Sequence, residues 1–193
     1  MEQFVFDNLD CGQGKDRGRV LAANCPDCCC EATKVSPKYS PGVVKNEEFV
    51  CRICIHPMFW DSEKNQPLPE AFNDVSTIGL SVLRQSHLRE GELQQLENDR
   101  INVKPGRSRG GIASCCVGAI RKETLDGKRA FCVYDTALEE TPSHADVFQA
   151  FFDPPDSSGR KALDKRMRTL LYRIFTQQPT DFYDTPPTPT QYP

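Results

Sequence analysis

The alternation of hydrophobic and polar positions predicts strands along much of the chain. Ile78, Leu80 and Val82 are separated by polar or small residues, so we expect residues 76–84 to form a strand with one buried face. Shorter apolar runs around cysteine-bearing turns, and two longer runs further on, are also typical of strands. The predicted strands cover residues 18–24, 32–36, 48–51, 76–84, 112–121 and 129–135.

The last two predicted strands, 112–121 and 129–135, are expected to pair as a hairpin. Both runs are apolar on both faces, which is typical of strands in the centre of a sheet. Asp126 and Gly127 lie between them, and this dipeptide favours a tight hairpin turn.

Helical spacing of apolar residues predicts two helices. A short one is expected to begin near Glu90, and a long amphipathic one to cover residues 158–176 with basic side chains on much of its polar face. The apolar stripe of the long helix consists of Leu163, Met167, Leu170, Leu171 and Ile174. Residues 177–193 are rich in proline and polar residues, so we predict a disordered tail there.

Composition narrows the class of protein. The chain has 193 residues, a net charge of −3 and 38% hydrophobic residues, which argues against a wholly disordered protein. No apolar run reaches the roughly 18 residues of a membrane helix. The N-terminus has neither the basic start nor the apolar block of a secretory signal, so we expect a cytoplasmic protein.

Ten cysteines are unusual for a chain of this length. In a reducing compartment, cysteines are more often metal ligands than disulfide partners. Cys25 and Cys28 form one CxxC pair, and Cys51 and Cys54 form a second. Two such pairs at this separation predict a tetrahedral zinc site with four thiolate ligands. The alternatives are an iron–sulfur cluster or another metal, and no metal at all.

This cysteine pattern resembles a zinc ribbon, and the resemblance covers only about residues 20–60. It implies a structural zinc ion that folds a small module. Zinc ribbons serve many unrelated functions, so the resemblance implies no activity. Other residues could replace one of the four ligands, and these alternates are Cys11, Cys29, Cys30 and His56.

The elements together predict an α+β protein. A zinc-ribbon-like module, residues 1–60, is expected to precede an antiparallel-sheet domain, residues 61–176, which ends in the amphipathic helix. Residues 177–193 would follow as the tail.

Candidates for catalysis or ligand binding lie in the larger domain. Asp135 ends a predicted strand and His144 follows in an acidic loop, so the two could form a general base with its orienting carboxylate. A basic, glycine-rich loop could hold an anion through Lys104, Arg107 and Arg109. The chain has no nucleophile elbow, P-loop or metalloprotease motif.

The sequence therefore favours a binding or adaptor protein with structural zinc and with a protein or a nucleic acid as its partner. A membrane partner is not expected. The alternative is a small hydrolase or toxin-like enzyme that uses Asp135 and His144, with Arg107 and Arg109 as an anion clamp. Convergence of the Asp135 carboxylate and the His144 ring in one cleft would favour the enzyme.

Overall fold

The computed structural model describes residues 17–32, 39–152 and 157–177. Its strands are β1 (Phe49–His56), β2 (Trp60–Asp61), β3 (Gln66–Pro67), β4 (Leu80–Arg84), β5 (Ser108–Cys116), β6 (Thr124–Leu125), β7 (Lys128–Arg129), β8 (Phe131–Asp135) and β9 (His144–Gln149). Its α-helices are α1 (Arg17–Asn24), α2 (Glu92–Asn102), α3 (Val117–Lys122) and α4 (Ser157–Gln177). Short 3-10 helices cover Pro26–Ala32, Pro69–Ser76 and Gln85–His87.

Five of these strands form one antiparallel sheet in the order β5-β1-β4-β9-β8. This confirms the predicted antiparallel sheet. β1 pairs with β5 over its whole length, but with β4 it forms only the pairs Val50–Arg84 and Cys51–Leu83. The strand then continues to His56, so its second half extends beyond its pairing with β4.

One face of the sheet is covered by α4 and by the 3-10 helix Pro69–Ser76. Val50, Val133 and Val147 point to this face and are fully buried there. The helix buries four residues of the predicted stripe and one aromatic ring, while Leu170 is only partly buried. The buried residues are Leu163, Met167, Leu171, Ile174 and Phe175. The predicted C-terminal helix is therefore confirmed, and burial of its stripe holds it against the sheet.

The opposite face carries two smaller apolar clusters. The first lies between α2 and the centre of the sheet, and the second lies between α1 and the edge formed by β8 and β9. The first cluster contains Cys51, Ile53, Ile55 and Leu83. The second contains Leu21, Cys25, Cys28, Cys132, Tyr134 and Phe148. Helices thus pack on both faces of the sheet.

One predicted strand, and the second half of another, are helical in the structure. Residues 18–24 form most of α1, where Ala22 and Ala23 favour helix and Leu21 alone is fully buried among the apolar residues. The predicted strand 112–121 ends at Cys116, and the chain continues as α3. Short apolar runs fit a buried strand and a buried helix equally well, and packing decides between them.

The predicted hairpin turn is confirmed, but its flanking strands are not partners. Asp126 and Gly127 have φ angles of 53° and 77°, and they join the two-residue strands β6 and β7. The longer strands β5 and β8 lie at opposite edges of the five-stranded sheet rather than together in its centre. α3 lies between them along the chain, and β5 pairs with β1 while β8 pairs with β9.

The boundary predicted at residue 60 does not separate two cores in the described part of the chain. β1 lies within the predicted 1–60 module, yet it pairs with β5 on one side and β4 on the other. Ala32 ends a 3-10 helix, and the rest of the strand predicted over 32–36 lies outside the described residues. Of the predicted tail, Gln177 ends α4 and residues 178–193 lie outside the described residues.

A buried ion-pair cluster joins the segment before β1 to the C-terminal ends of β4 and β8. The Arg84 side chain, 1% exposed, donates two hydrogen bonds of 2.8 Å to the Glu48 carboxylate and one of 2.6 Å to the Gly42 carbonyl oxygen. The Asp135 carboxylate is fully buried 3.6 Å from the guanidinium and accepts a hydrogen bond from the Ser40 hydroxyl. One cation therefore holds three separate segments together.

The two carboxyl groups in this cluster are shifted in opposite directions. For Glu48, burial raises the pKa, but hydrogen bonds from Arg84 and from the Lys45 backbone outweigh it and hold the pKa below its ordinary value. For Asp135, burial dominates and raises the pKa despite the Ser40 hydrogen bond and the Arg84 charge. The geometry explains the difference, because Arg84 bonds Glu48 at two points and stands further from Asp135.

We expect Glu48→Gln to lower the free energy of unfolding by about 3–5 kcal/mol, because it breaks a buried pair and leaves Arg84 under-compensated. Urea denaturation at pH 7 measures the loss. The control is Glu47→Gln at the exposed neighbouring position, which should change stability by less than about 0.5 kcal/mol. Equal losses in the two variants would contradict the assignment.

The same pair of proteins tests the pH dependence. Because the pKa of Glu48 is lower in the folded state, its contribution is complete above the ordinary value of 4.5 and is lost as the pH falls through the folded value. The stability difference between wild type and Glu48→Gln should therefore narrow below pH 4.5. A difference that stays constant as the protein is acidified would exclude this linkage.

Candidate functional site

Five cysteines meet where the segment after α1 packs against β8. Cys25 forms a disulfide with Cys30, and Cys28 forms one with Cys132 of β8. The fifth, Cys29, is a free and exposed thiol whose Sγ lies 3.8 Å from the Sγ of Cys30. Among the described residues, the cluster thus holds one free thiol beside two disulfides.

The backbone between the disulfides reverses direction within a few residues. Asp27 and Cys28 both have left-handed conformations, with φ angles of 54° and 59°. Few residues other than glycine, asparagine and aspartate adopt this region readily, so the surrounding contacts must hold Cys28 there. As a result Cys28 is buried beside Cys132, while the adjacent Cys29 is exposed.

The sulfur atoms of Cys25, Cys29 and Cys30 all lie within 4.8 Å of one another, close enough to hold one metal ion. Thiolates are the ligands that zinc and other soft metals favour. Two of the three sulfurs are joined in a disulfide, so metal binding requires its reduction. The same atoms can therefore be disulfide-linked or metal-bound, according to redox conditions.

The predicted four-cysteine site is not assembled in the structure. Cys25 and Cys28 lie in the cluster, whereas Cys51 and Cys54 lie within β1 and belong to apolar clusters on opposite faces of the sheet. Residues three apart in a strand point to opposite sides, so one ion cannot bind both thiols. The second CxxC pair fails as a chelating turn because these residues form a strand.

Burial also keeps the β1 thiols protonated. Burial raises the pKa of Cys51 to about 12 and that of Cys54 to about 11, whereas a metal ligand must be a thiolate. The alternate ligand His56 lies at the end of β1, with its Nδ1 3.2 Å from the Trp60 carbonyl oxygen. Cys11 lies outside the described residues.

Asp135 and His144 do not share a site. The register pairs Asp135 with Ala145, and paired residues point to the same side of the sheet. His144, the neighbour of Ala145, therefore points to the opposite face. The cleft that the hydrolase hypothesis requires is absent here, because Asp135 is fully buried beside Arg84.

His144 contacts two hydroxyl groups instead. Its Nε2 lies 2.6 Å from the Ser81 Oγ, and its Nδ1 lies 2.8 Å from the hydroxyl and 3.1 Å from the carbonyl oxygen of Thr136. With Nδ1–H donating to that carbonyl, Nε2 accepts from the Ser81 hydroxyl. Sequence reasoning missed Ser81 because it lies 63 residues from His144, in a strand that showed only an alternating pattern.

The three basic residues of the predicted anion-binding loop have different environments. Lys104 is exposed, and the Arg109 guanidinium forms a 2.7 Å ion pair with Glu97. Arg107 lines a small cavity beside the second half of β1. The predicted anion clamp of Arg107 with Arg109 is therefore not formed, since Arg109 already has a carboxylate partner.

Comparison of the chain with protein-family models, with curated proteins and with solved structures found no match. Among the described helices, none combines the length and the apolar character needed to cross a bilayer. The functional conclusion therefore depends on the geometry of the residues described above.

The Cys28–Cys132 disulfide should contribute more stability than the Cys25–Cys30 disulfide, because it closes a longer loop. Their sequence separations are 104 and 5, for which loop-closure entropy gives about 5 and about 2 kcal/mol. Guanidinium denaturation of Cys132→Ala and Cys30→Ala without reductant compares the two. Similar losses in both variants would argue against the long-range crosslink.

Proposed function

We propose that the protein is a binding protein whose N-terminal segment is held in place by a structural zinc site in the cysteine cluster. Cys25, Cys29 and Cys30 supply three thiolates when the cluster is reduced. The mutual approach of their sulfur atoms, within 4.8 Å, is the observation that supports this site. Zinc requires a fourth ligand in such a site, and Cys28 and Cys132, which lie in the same apolar cluster as Cys25, are candidates once their disulfide opens.

The proposed zinc has a structural role. The cysteine segment joins α1 to β8, and α1 itself buries Leu21 against Tyr134 and Phe148. An ion held by four thiolates has no open position for water or substrate, so it would crosslink these elements without catalysing a reaction. This site differs from a zinc ribbon, since its ligands come from one turn and β8.

Redox conditions select the form of the crosslink. In the cytoplasm, the proposed location, thiols are kept reduced and metal binding is favoured over disulfides. Under oxidising conditions the two disulfides hold the same segment against β8. In either state the packing of α1 is maintained.

The proposed partner is a protein. The chain carries a net charge of −3, which disfavours extended binding to the phosphate backbone of nucleic acids. Nucleic-acid binding through Lys104 and Arg107 would show a steep loss of affinity with salt. A flat dependence of nucleic-acid affinity on salt would dismiss that alternative.

We expect the reduced protein to bind one zinc ion per chain and Cys29→Ser to weaken that binding roughly tenfold or more, because a ligand is lost. Elemental analysis measures the stoichiometry, and cobalt substitution reports thiolate coordination through its absorption spectrum. Cys116→Ser is the matched control, because this partly exposed free thiol lies outside the cluster. Reduced protein that binds no metal, or that loses binding equally in both variants, would contradict the proposal.

A third variant separates this ligand set from the zinc ribbon predicted from sequence. Cys51→Ala should retain one metal per chain, because Cys51 is not one of the three clustered sulfurs. It is buried against α2, in a different apolar cluster. Circular dichroism establishes that the variant is folded. Loss of metal from folded Cys51→Ala would support the zinc-ribbon ligands predicted from sequence and exclude the proposed site.

A second candidate function, a serine hydrolase, is favoured by the 2.6 Å contact between Ser81 and His144. In such an enzyme His144 would accept the Ser81 proton as Oγ attacks a carbonyl carbon, with Thr136 orienting the ring. The Asp146 carboxylate, 4.0 Å from the same ring, would favour the imidazolium that forms. This arrangement replaces the predicted Asp135–His144 pair.

A fluorophosphonate probe, which bonds to an activated serine oxygen with loss of fluoride, tests this second candidate. We expect labelling of wild type and loss of labelling in Ser81→Ala and His144→Gln. Ser86→Ala, at an exposed serine outside the His144 contacts, is the control. Absence of labelling in folded wild type would dismiss the hydrolase.

A further inference from the structure

A cavity of about 170 Å³ lies beside the second half of β1, where the strand extends beyond its pairing with β4. This volume holds several water molecules at roughly 30 Å³ each, and it is smaller than the pockets that enclose drug-sized molecules. The cavity is therefore suited to a small ligand or to one functional group of a larger molecule.

Three guanidinium groups line this cavity. Arg52 comes from β1, Arg100 from the last turn of α2, and Arg107 from the loop before β5. Arg52 is 94% buried, and its Nη1 donates a 2.9 Å hydrogen bond to the Ser81 carbonyl oxygen. Its Nη2 lies 3.5 Å from the Asp74 carboxylate. We call this set of three the arginine pocket.

The arginine pocket contains hydrogen-bond donors without acceptors. The Nε atoms of Arg52 and Arg107 are buried and have no hydrogen-bond partner among the described residues. Buried polar groups are nearly always paired in native proteins, so two unpaired donors beside one cavity indicate a missing acceptor. The Arg100 guanidinium makes one hydrogen bond of 3.3 Å, to the Ile53 carbonyl oxygen.

Positive charge in the pocket exceeds negative charge. In the described part of the chain, Arg52 alone of the three arginines has a carboxylate within ion-pair distance, and that carboxylate is Asp74. Burial and the charge of Arg52 both lower the pKa of Arg100, in keeping with cations held close together. Three cations with one carboxylate leave a net charge of +2 for a ligand to neutralise.

We propose that the arginine pocket binds the phosphate group of a small phosphomonoester. Such a group carries a charge between about −1.5 and −2 at pH 7 and offers three acceptor oxygens. Guanidinium forks match phosphate oxygens in geometry and keep their charge when buried. This inference goes beyond the proposed zinc site and rests on the proposed function only in taking the protein as a binding protein.

Apolar side chains next to the arginines indicate where the organic part of the ligand lies. Phe59 and Met58 line the same cavity, and the Arg52 guanidinium carbon is 5.9 Å from the centre of the Phe59 ring. Met58 is 44% exposed, so the cavity borders solvent there. An aromatic or aliphatic phosphate ester can place its phosphate among the arginines and its organic group on these side chains.

Phenyl phosphate is the probe for this site, titrated into the full-length protein in phosphate-free buffer and followed by calorimetry. We expect saturable binding of one molecule per chain. Affinity should rise between pH 5 and pH 7, as the second phosphate ionisation near pH 6 supplies the dianion. Benzoate, a monoanion of similar shape, should bind at least roughly tenfold more weakly, since it leaves part of the pocket charge unmatched.

Three variants localise the binding. Arg107→Gln should weaken it roughly tenfold or more, because a charge-assisted hydrogen bond is lost, and Arg107→Lys should recover part of the affinity. Lys104→Gln is the matched control: it removes the same charge from the same loop, but Lys104 is exposed and does not line the cavity. It should change affinity by less than about twofold. Circular dichroism and urea denaturation establish that each variant is folded.

Several outcomes would overturn the inference. They are no binding by folded wild type, equal weakening in Arg107→Gln and Lys104→Gln, or displacement of phenyl phosphate by a single-stranded oligonucleotide with a steep salt dependence. Repeating the titration with Cys29→Ser separates the two proposals. Phenyl phosphate binding that persists in Cys29→Ser supports an arginine pocket that is independent of the zinc site. Wild type that binds phenyl phosphate but no zinc would contradict the zinc proposal and leave the arginine pocket standing.

Discussion

The arrangement of the sheet depends on the ion pairs and hydrogen bonds of the buried Arg84 guanidinium. It binds Glu48 before β1, the Gly42 carbonyl in the preceding loop and Asp135 at the end of β8, so that one cation fixes segments that are distant in sequence. Because Asp135 is held in this cluster, it is not available to His144. The ion pair that stabilises the sheet therefore also excludes the catalytic pair predicted from sequence.

The contrast between Arg84 and the arginine pocket separates a structural role from a proposed binding role. Arg84 has two carboxylates and backbone carbonyls around it, and its charge is compensated within the protein. The arginine pocket has three cations, one carboxylate and two unpaired donors among the described residues. A cation taken out of water requires compensation, and where the protein does not provide it a ligand is the natural source.

The cysteine cluster has a different role, because it holds α1 to the edge of the sheet. α1 is short and buries few side chains, so packing alone supplies it with little stability. Disulfides or a metal ion provide a crosslink that does not depend on a large apolar area. The left-handed conformation of Asp27 and Cys28 is what brings the sulfurs of one short segment together.

Local sequence determined the elements whose signals need no distant partner. The apolar stripe of α4 and the turn at Asp126 and Gly127 follow from helical spacing and turn chemistry, and both are present as predicted. Tertiary structure decided the positions of Cys51 and Cys54. A CxxC pair in a loop can form a chelating turn, but the pairing of β1 with its neighbours places these two thiols on opposite faces of the sheet. Tertiary structure also brought Arg52, Arg100 and Arg107 to one cavity. The spacing of residues along the chain does not show which distant segments pack together. Those contacts follow from strand pairing.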